Sequence, residues 1–266
     1  GKLTARTKAN RRVGYDMNFH APKGVSVVHA LTGDQRLLDA VVEATSAAMQ
    51  RMETEAKTRV RAQNANTDRV TGNLVWAAFL HLTTRPVDGV PDPHLHVHCY
   101  VFNATFDQTE QRWKAAEFGD LKRNAPFFEA HFHAALMKRV SDLGYAVEEK
   151  GKRWDIANLP PGLVEKFSRR TAEIEAIAAA KGIKDVDAKA ALGAKTRRPK
   201  DTTHPFDVVQ ERWRSRITGA ERAALDALQP KEPPLVPSTE ARLGLLERYS
   251  AKRAIDRALD HCFERL

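Results

Sequence analysis

The sequence predicts an α+β fold: a central antiparallel β-sheet flanked by helices, followed by a mostly helical C-terminal extension. Three observations carry this. Period-two alternation of apolar and polar residues falls within the first 160 residues, most clearly over 13–20 and 95–105. A long helical periodicity interrupts it after Asp34, and helical spacing takes over from Pro161 onward. Strands gathered in one part of a chain and helices in another favour an antiparallel sheet over repeated β–α units.

The elements follow in order. Residues 13–20 (VGYDMNFH) put Tyr15, Met17 and Phe19 on one strand face and Gly14, Asp16, Asn18 and His20 on the other. Ala21-Pro22 ends the strand, and Pro22 opens a short helix through Leu31. From Asp34, Leu37, Leu38, Val41, Val42, Ala48, Met49 and Met52 lie at helical spacing. Residues 58–61 and 70–84 read as strands joined by a polar loop (QNANTD), and 85–93, with three prolines and a glycine, as a loop. A strand over 95–105, a short one over 112–116, a helix over 120–143 closed by Gly144, and a small hairpin of 145–147 with 152–156 complete the first part. Helices are expected over 161–181, 185–194, 205–216, 218–228 and 239–265. Four prolines make 229–237 a linker.

The expected organisation is a metal-binding core over 1–160, a helical part over 161–228, and a proline-containing linker and helix over 229–266 that lead to a downstream region. A first residue of Gly1 and a last helical stretch without a stop predict an excerpt of a longer protein.

Composition narrows the classes. A chain of 266 residues with 42% hydrophobic and 29% charged residues can bury a core and is not a disordered tail. Its longest apolar stretch, 74–82, is too short to cross a bilayer, and the basic N-terminus is no secretory signal. Two cysteines, Cys99 and Cys262, make no disulfide framework and fit a reducing compartment. The net charge of +9, from 43 basic against 34 acidic residues, suits a polyanionic partner.

Histidine placement is the sharpest signal. His81, His94, His96 and His98 fall within eighteen residues. On a strand, His96 and His98 share a face about 6–7 Å apart. His94 joins them only if the strand already runs there. Antiparallel pairing with the preceding strand would bring His81 opposite, giving an open imidazole site for zinc, manganese, nickel or copper in preference to magnesium. The plain alternative is a set of polar positions on a half-exposed strand. Asp16 is an acid within an apolar strand; it could orient a metal-bound histidine, act as a base, or simply bond to backbone.

Three separated blocks then resemble one family. VGYDMNFHAPKGVSVVHAL, TGNLVWAAFLHLTTRPVDGVPDPHLHVHCYVFNATFD and VEKFSRRTAEIEAIA are similar, in order and spacing, to the relaxase domain of TrwC/TraI-type conjugative relaxases, from about Leu3 to Arg216. Such proteins are HUH endonucleases, and the resemblance implies their palm-like core here. It places the HUH pair on His96-Val97-His98, the third metal ligand on His81 and the assisting acid on Asp16. His94 falls where the family often has another polar residue. The implied reaction is tyrosine transesterification that nicks single-stranded origin-of-transfer DNA, assisted by a divalent ion, Mg²⁺ or Mn²⁺, with Zn²⁺ or Ni²⁺ suited to three imidazoles. Implied partners are that DNA, accessory relaxosome proteins and a type IV secretion coupling protein, in a bacterial cytoplasm with transfer into a recipient cell on the DNA. The family's nucleophilic tyrosines lie upstream of the first matching block, and Tyr15 and Tyr100 match none of them. The nucleophile is therefore expected outside this chain, which alone would not nick.

Charge clusters supply candidate DNA contacts: Lys8, Arg11, Arg12, Lys23, Arg59, Arg61, Arg169, Arg170, Arg197 and Arg198. Trp76, Trp113, Trp154 and Trp213 are candidate stacking surfaces, with core packing favoured for Trp76 and Trp213. Alternatives are a single-stranded DNA-binding module without catalysis, a hydrolase using metal-bound water, and a rolling-circle replication initiator with the same HUH core.

Overall fold

The computed structural model describes residues 12–62, 65–151, 153–196, 198–199, 205–228 and 230. Lys8, Arg11, Arg197 and the expected 239–265 helix lie outside them. Strand β1 (Gly14–His20) leads through Pro22 into helix α1 (Lys23–Thr32), and Asp34 caps helix α2 (Gln35–Glu53) by accepting from the Arg36 amide. A hairpin of β2 (Lys57–Ala62) and β3 (Ala65–Val70) follows, then β4 (Trp76–Thr83) and β5 (Pro93–Phe102).

The main sheet is antiparallel with order β1-β5-β4, so the last strand to be made lies in the middle. Its register pairs His20 with His96 and Asp16 with Tyr100 on one side, and His81 with His96 on the other. Period-two alternation sorts β5 except at His96, which is buried although it lies on the polar face. Leu95, Val97, Cys99 and Val101 are buried, whereas His94, His98, Tyr100 and Phe102 are partly open. The apolar face joins α1, α2 and a later helix α4 (Ala125–Asp142) in one core, in which Phe19 meets Phe132 with ring centroids 5.3 Å apart. Gly14 is required by close approach: a Cβ there would lie 2.6 Å from the Tyr100 ring.

Four local expectations change. The polar run QNANTD belongs largely to β3, which is exposed along nearly its whole length and so carries no apolar alternation. Residues 71–75 separate it from β4. The 120–143 helix is two, α3 (Gly119–Arg123) and α4, because Pro126 near the start of α4 has no N–H to extend the preceding ladder. The 161–181 helix is likewise divided into α5 (Leu163–Lys166) and α6 (Arg169–Ala180), with buried Phe167 at the break. Tyr145 is not a strand residue; it is buried and donates from its hydroxyl to Asp34 Oδ2 at 2.7 Å. The small ribbons are β6 (Thr105–Asp107) with β7 (Arg112–Lys114) and β8 (Val147–Lys150) with β9 (Arg153–Ile156).

The helices α7 (Val186–Lys195), α8 (Phe206–Arg214) and α9 (Gly219–Leu228) end the described chain. Val209, Trp213 and Leu225 enter the same core as the sheet. Trp213 donates to Pro91 O at 2.7 Å, and Arg222 to Leu31 O at 2.9 Å. The C-terminal helices thereby fasten the loop that delivers β5. Among the described residues no helix is long and apolar enough to cross a membrane.

Candidate metal centre

The open sheet face presents histidines from all three strands. His20, His96 and His81 form a row across β1, β5 and β4; His94, His96 and His98 form a column along β5. His96 stands where they cross. The register slips between His81 and Thr83, an irregularity directly beside the β4 histidine.

His81, His96 and His98 each offer one ligand atom, all within 4.8 Å of one another. Their ring centroids are 5.0 Å (81–96), 5.0 Å (81–98) and 5.2 Å (96–98) apart. Two of the rings have a fixed tautomer. His96 Nδ1 lies 3.0 Å from His94 O, and a carbonyl only accepts, so Nδ1 carries the proton and Nε2 holds the lone pair. His98 Nδ1 lies 2.8 Å from Asp16 Oδ2, which again leaves Nε2 for an ion. This is the carboxylate–histidine pairing that orients metal ligands and raises their basicity. Three neutral imidazoles with open positions beside them fit a divalent transition-metal ion.

Electrostatics favour the neutral, ligating form of His96, His94 and His20. Burial pushes the His96 imidazole down to about 4, helped by neighbouring His20, His81 and His98 and opposed by the hydrogen bond to His94 O. Burial pushes His94 down to about 2, with His96, His20 and Lys23 acting in the same direction. His20 is also lowered, chiefly by burial.

The proposed ligands and Asp16 therefore come together as the sequence expected. His20 was missed. Its place on the Asp16 face was readable from parity, but its contact with His94 depends on a β1–β5 register spanning 74 positions. His94, set aside on the family pattern, points to the same face because β5 begins at Pro93.

The basic candidates divide. Arg59 and Arg61 are exposed on one face of β2, with Arg59 paired to Glu117. Arg12 donates to the Tyr15 hydroxyl at 3.1 Å, and half-exposed Arg198 pairs with Glu173. Three others serve internal contacts instead. Arg169 holds Asp92, only 1% exposed, together with the carbonyls of Val87 and Val90. Arg170 ties Glu173, Gly193 O and Thr196 together. Lys23 donates to Pro93 O at 2.5 Å, and its burial lowers it to about 8 despite Asp92 nearby. Of the tryptophans, Trp154 and Trp213 are buried, so neither offers a stacking surface.

A family model described as TrwC relaxase matches residues 1–220. The multifunctional conjugation protein TraI of Escherichia coli is 36% identical over 191 residues, which is 67% of this chain and 10% of TraI. The chain thus spans about a tenth of the curated relatives it matches. The structure is similar to the conjugative relaxase TrwC in complex with OriT DNA in its metal-free form, with TM-score 0.74, 27% identity, and coverage of 80% of this chain and 76% of that one. The metal-bound TrwC complex gives TM-score 0.73 and 28% identity, covering 80% and 74%. By sequence and by fold, the chain belongs to the TrwC relaxase family.

Proposed function

We propose that this chain is the relaxase unit of a conjugative DNA-transfer protein, nicking single-stranded origin-of-transfer DNA at one site and on one strand. The observation that carries this reading is the Asp16–His98 hydrogen bond joined to His81 and His96 on a partly open sheet face. Family membership, and relatives described in complex with OriT DNA, supply the substrate class.

The reaction is a transesterification. A tyrosine oxygen forms a bond to the scissile phosphorus, the P–O3′ bond breaks, and the tyrosine proton is passed on so that a free 3′-hydroxyl leaves. His81, His96 and His98 would hold a divalent ion, which would supply charge stabilisation at the phosphate oxygens. Imidazole chemistry favours Mn²⁺, Zn²⁺ or Ni²⁺ over Mg²⁺. Asp16 fixes the His98 ring through Oδ2, and its half-exposed carboxylate is the acceptor for the attacking hydroxyl's proton.

None of the described tyrosines is assigned as nucleophile. Tyr145 is buried against Asp34. Tyr15 turns to the other face and stacks near Phe118, with centroids 4.3 Å apart. Tyr100 shares the histidine face but packs over Gly14 and edge-on to Phe102. DNA contacts are assigned to Arg59 and Arg61, with Phe79, exposed on β4 opposite His98, available for base stacking.

The test is a nicking assay of the full-length protein on a single-stranded origin-of-transfer oligonucleotide with Mn²⁺, read on denaturing gels for a covalent protein–DNA adduct. His96→Ala should abolish the adduct, and Tyr100→Phe should leave it intact. Cleavage without an adduct would replace this reading with hydrolysis, and loss of the adduct in Tyr100→Phe would overturn the tyrosine assignment.

A further inference from the structure

We propose that His20, His94 and His96 form a second seat for a divalent transition-metal ion, beside the His81/His96/His98 seat and sharing His96 with it. The inference goes beyond the nicking reaction and does not depend on it.

The two seats are alike in geometry. The ligand atoms of His20, His94 and His96 also lie within 4.8 Å of one another. Their ring centroids are separated by 5.2 Å (20–94), 5.3 Å (20–96) and 4.6 Å (94–96), close to the distances in the first trio. One pair is already closed: His20 Nδ1 and His94 Nε2 are 3.1 Å apart. Two imidazole nitrogens bound tetrahedrally to one ion at about 2.0–2.1 Å would stand roughly 3.3 Å apart. An ion entering there replaces a shared proton, which moves to the other nitrogen of its own ring, so both rings stay neutral.

His96 makes the seats exclusive. Its Nδ1 proton is committed to His94 O, so only Nε2 can ligate, and it can serve one ion at a time. The face therefore holds a single ion in one of two positions. The first is favoured, because Asp16 raises the basicity of His98 while the Lys23 ammonium bears on His94. The second is where the ion sits when the first lacks a ligand.

Co²⁺ and Zn²⁺ titrations of the purified chain, by calorimetry and by Co²⁺ ligand-field absorption, test this. Wild type should bind one ion, and His94→Gln alone should change affinity less than threefold. His81→Ala should still bind one ion, with an altered Co²⁺ spectrum. Adding His94→Gln or His20→Gln to His81→Ala should then weaken binding at least tenfold, as expected for loss of a ligand. Circular dichroism of each variant establishes that it folds. Equal affinities for His81→Ala and His81→Ala/His94→Gln would overturn the second seat, and two ions per wild-type chain would overturn its sharing of His96.

Discussion

Asp16 and His98 meet diagonally across β1 and β5, with Oδ2 of the carboxylate 2.8 Å from Nδ1 of the imidazole. Neither is the other's direct partner in the ladder; Asp16 pairs with Tyr100 and His98 with Asn18. The contact exists because an aromatic ring such as the His98 imidazole reaches the diagonal neighbour on an antiparallel face. It leaves Nε2 as the nitrogen of His98 that would ligate an ion.

Asp16→Ala should therefore weaken Mn²⁺ or Zn²⁺ binding by about 10–100-fold, the range seen when a ligand's hydrogen-bonding partner is removed. Asp16→Asn should lose less, since its amide oxygen still accepts from Nδ1. The Asp16 side chain is 48% exposed, so the melting transition should barely move. Calorimetry beside a thermal melt checks both, and unchanged affinity in Asp16→Ala would remove Asp16 from the centre.

Arg169 should prove a stability residue. Asp92 is buried between Arg169 and Arg216, at 2.9 and 2.8 Å, in the turn that leads into β5. Arg169→Ala leaves that carboxylate with one cation, Arg216, and takes the guanidinium donor from the half-buried Val87 and Val90 carbonyls, which still accept each other's amides. A cost of about 2–3 kcal/mol in urea unfolding is expected, less than for a fully orphaned buried charge, because Arg216 and the residue-169 amide still bond Asp92. A loss below about 1 kcal/mol, with single-stranded DNA binding impaired, would return Arg169 to the surface contacts.

Arg59 and Arg61 should behave in the opposite way. Both are exposed on the β2 ribbon, and removing them should change stability by less than about 0.5 kcal/mol. If each meets a phosphate, Arg59→Ala/Arg61→Ala should lower the slope of log affinity against log salt by about 1.4 for single-stranded DNA. Fluorescence anisotropy across a salt series measures this, and an unchanged slope would place the DNA elsewhere.

These contrasts show what the sequence could and could not convey. Strand β5 was legible because Leu95, Val97, Cys99 and Val101 alternate with the histidines, and one face of the strand is buried. The ribbon strand β3 was not, because a strand open to solvent on both faces needs no apolar period. His81, His96 and His98 were legible from spacing plus one assumed pairing, which the register supplies. The His20–His94 contact required a second register. Arg169 and Arg59 are chemically identical letters. Only the fold shows that one reaches a buried acid 77 positions away while the other lies exposed, paired with Glu117 at the surface.

The metal-free fold should lose stability in mild acid, and the histidine face should be a cause. In the folded chain His96 is held down to about 4 and His94 to about 2, chiefly by burial, whereas unfolded histidine titrates near 6.5. Below pH 6.5 the unfolded chain therefore takes up protons that the folded chain refuses, so stability falls as pH falls. Above pH 7 both states are neutral at these rings and the dependence vanishes. With two such groups, the loss between pH 6.5 and 5.0 should be about 2–3 kcal/mol. Carboxylates also contribute in acid: burial of Asp34 opposes its ionisation, but hydrogen bonds from Arg36 and Tyr145 outweigh it and lower its pKa. The informative quantity is thus the difference between wild type and His94→Gln, measured by urea unfolding in chelator at pH 7.5, 6.0 and 5.0. The variant's decline should be shallower by roughly half of the histidine contribution. Parallel declines would mean that His94 takes up its proton in the folded state as readily as in the unfolded one, and that the face is open to water there.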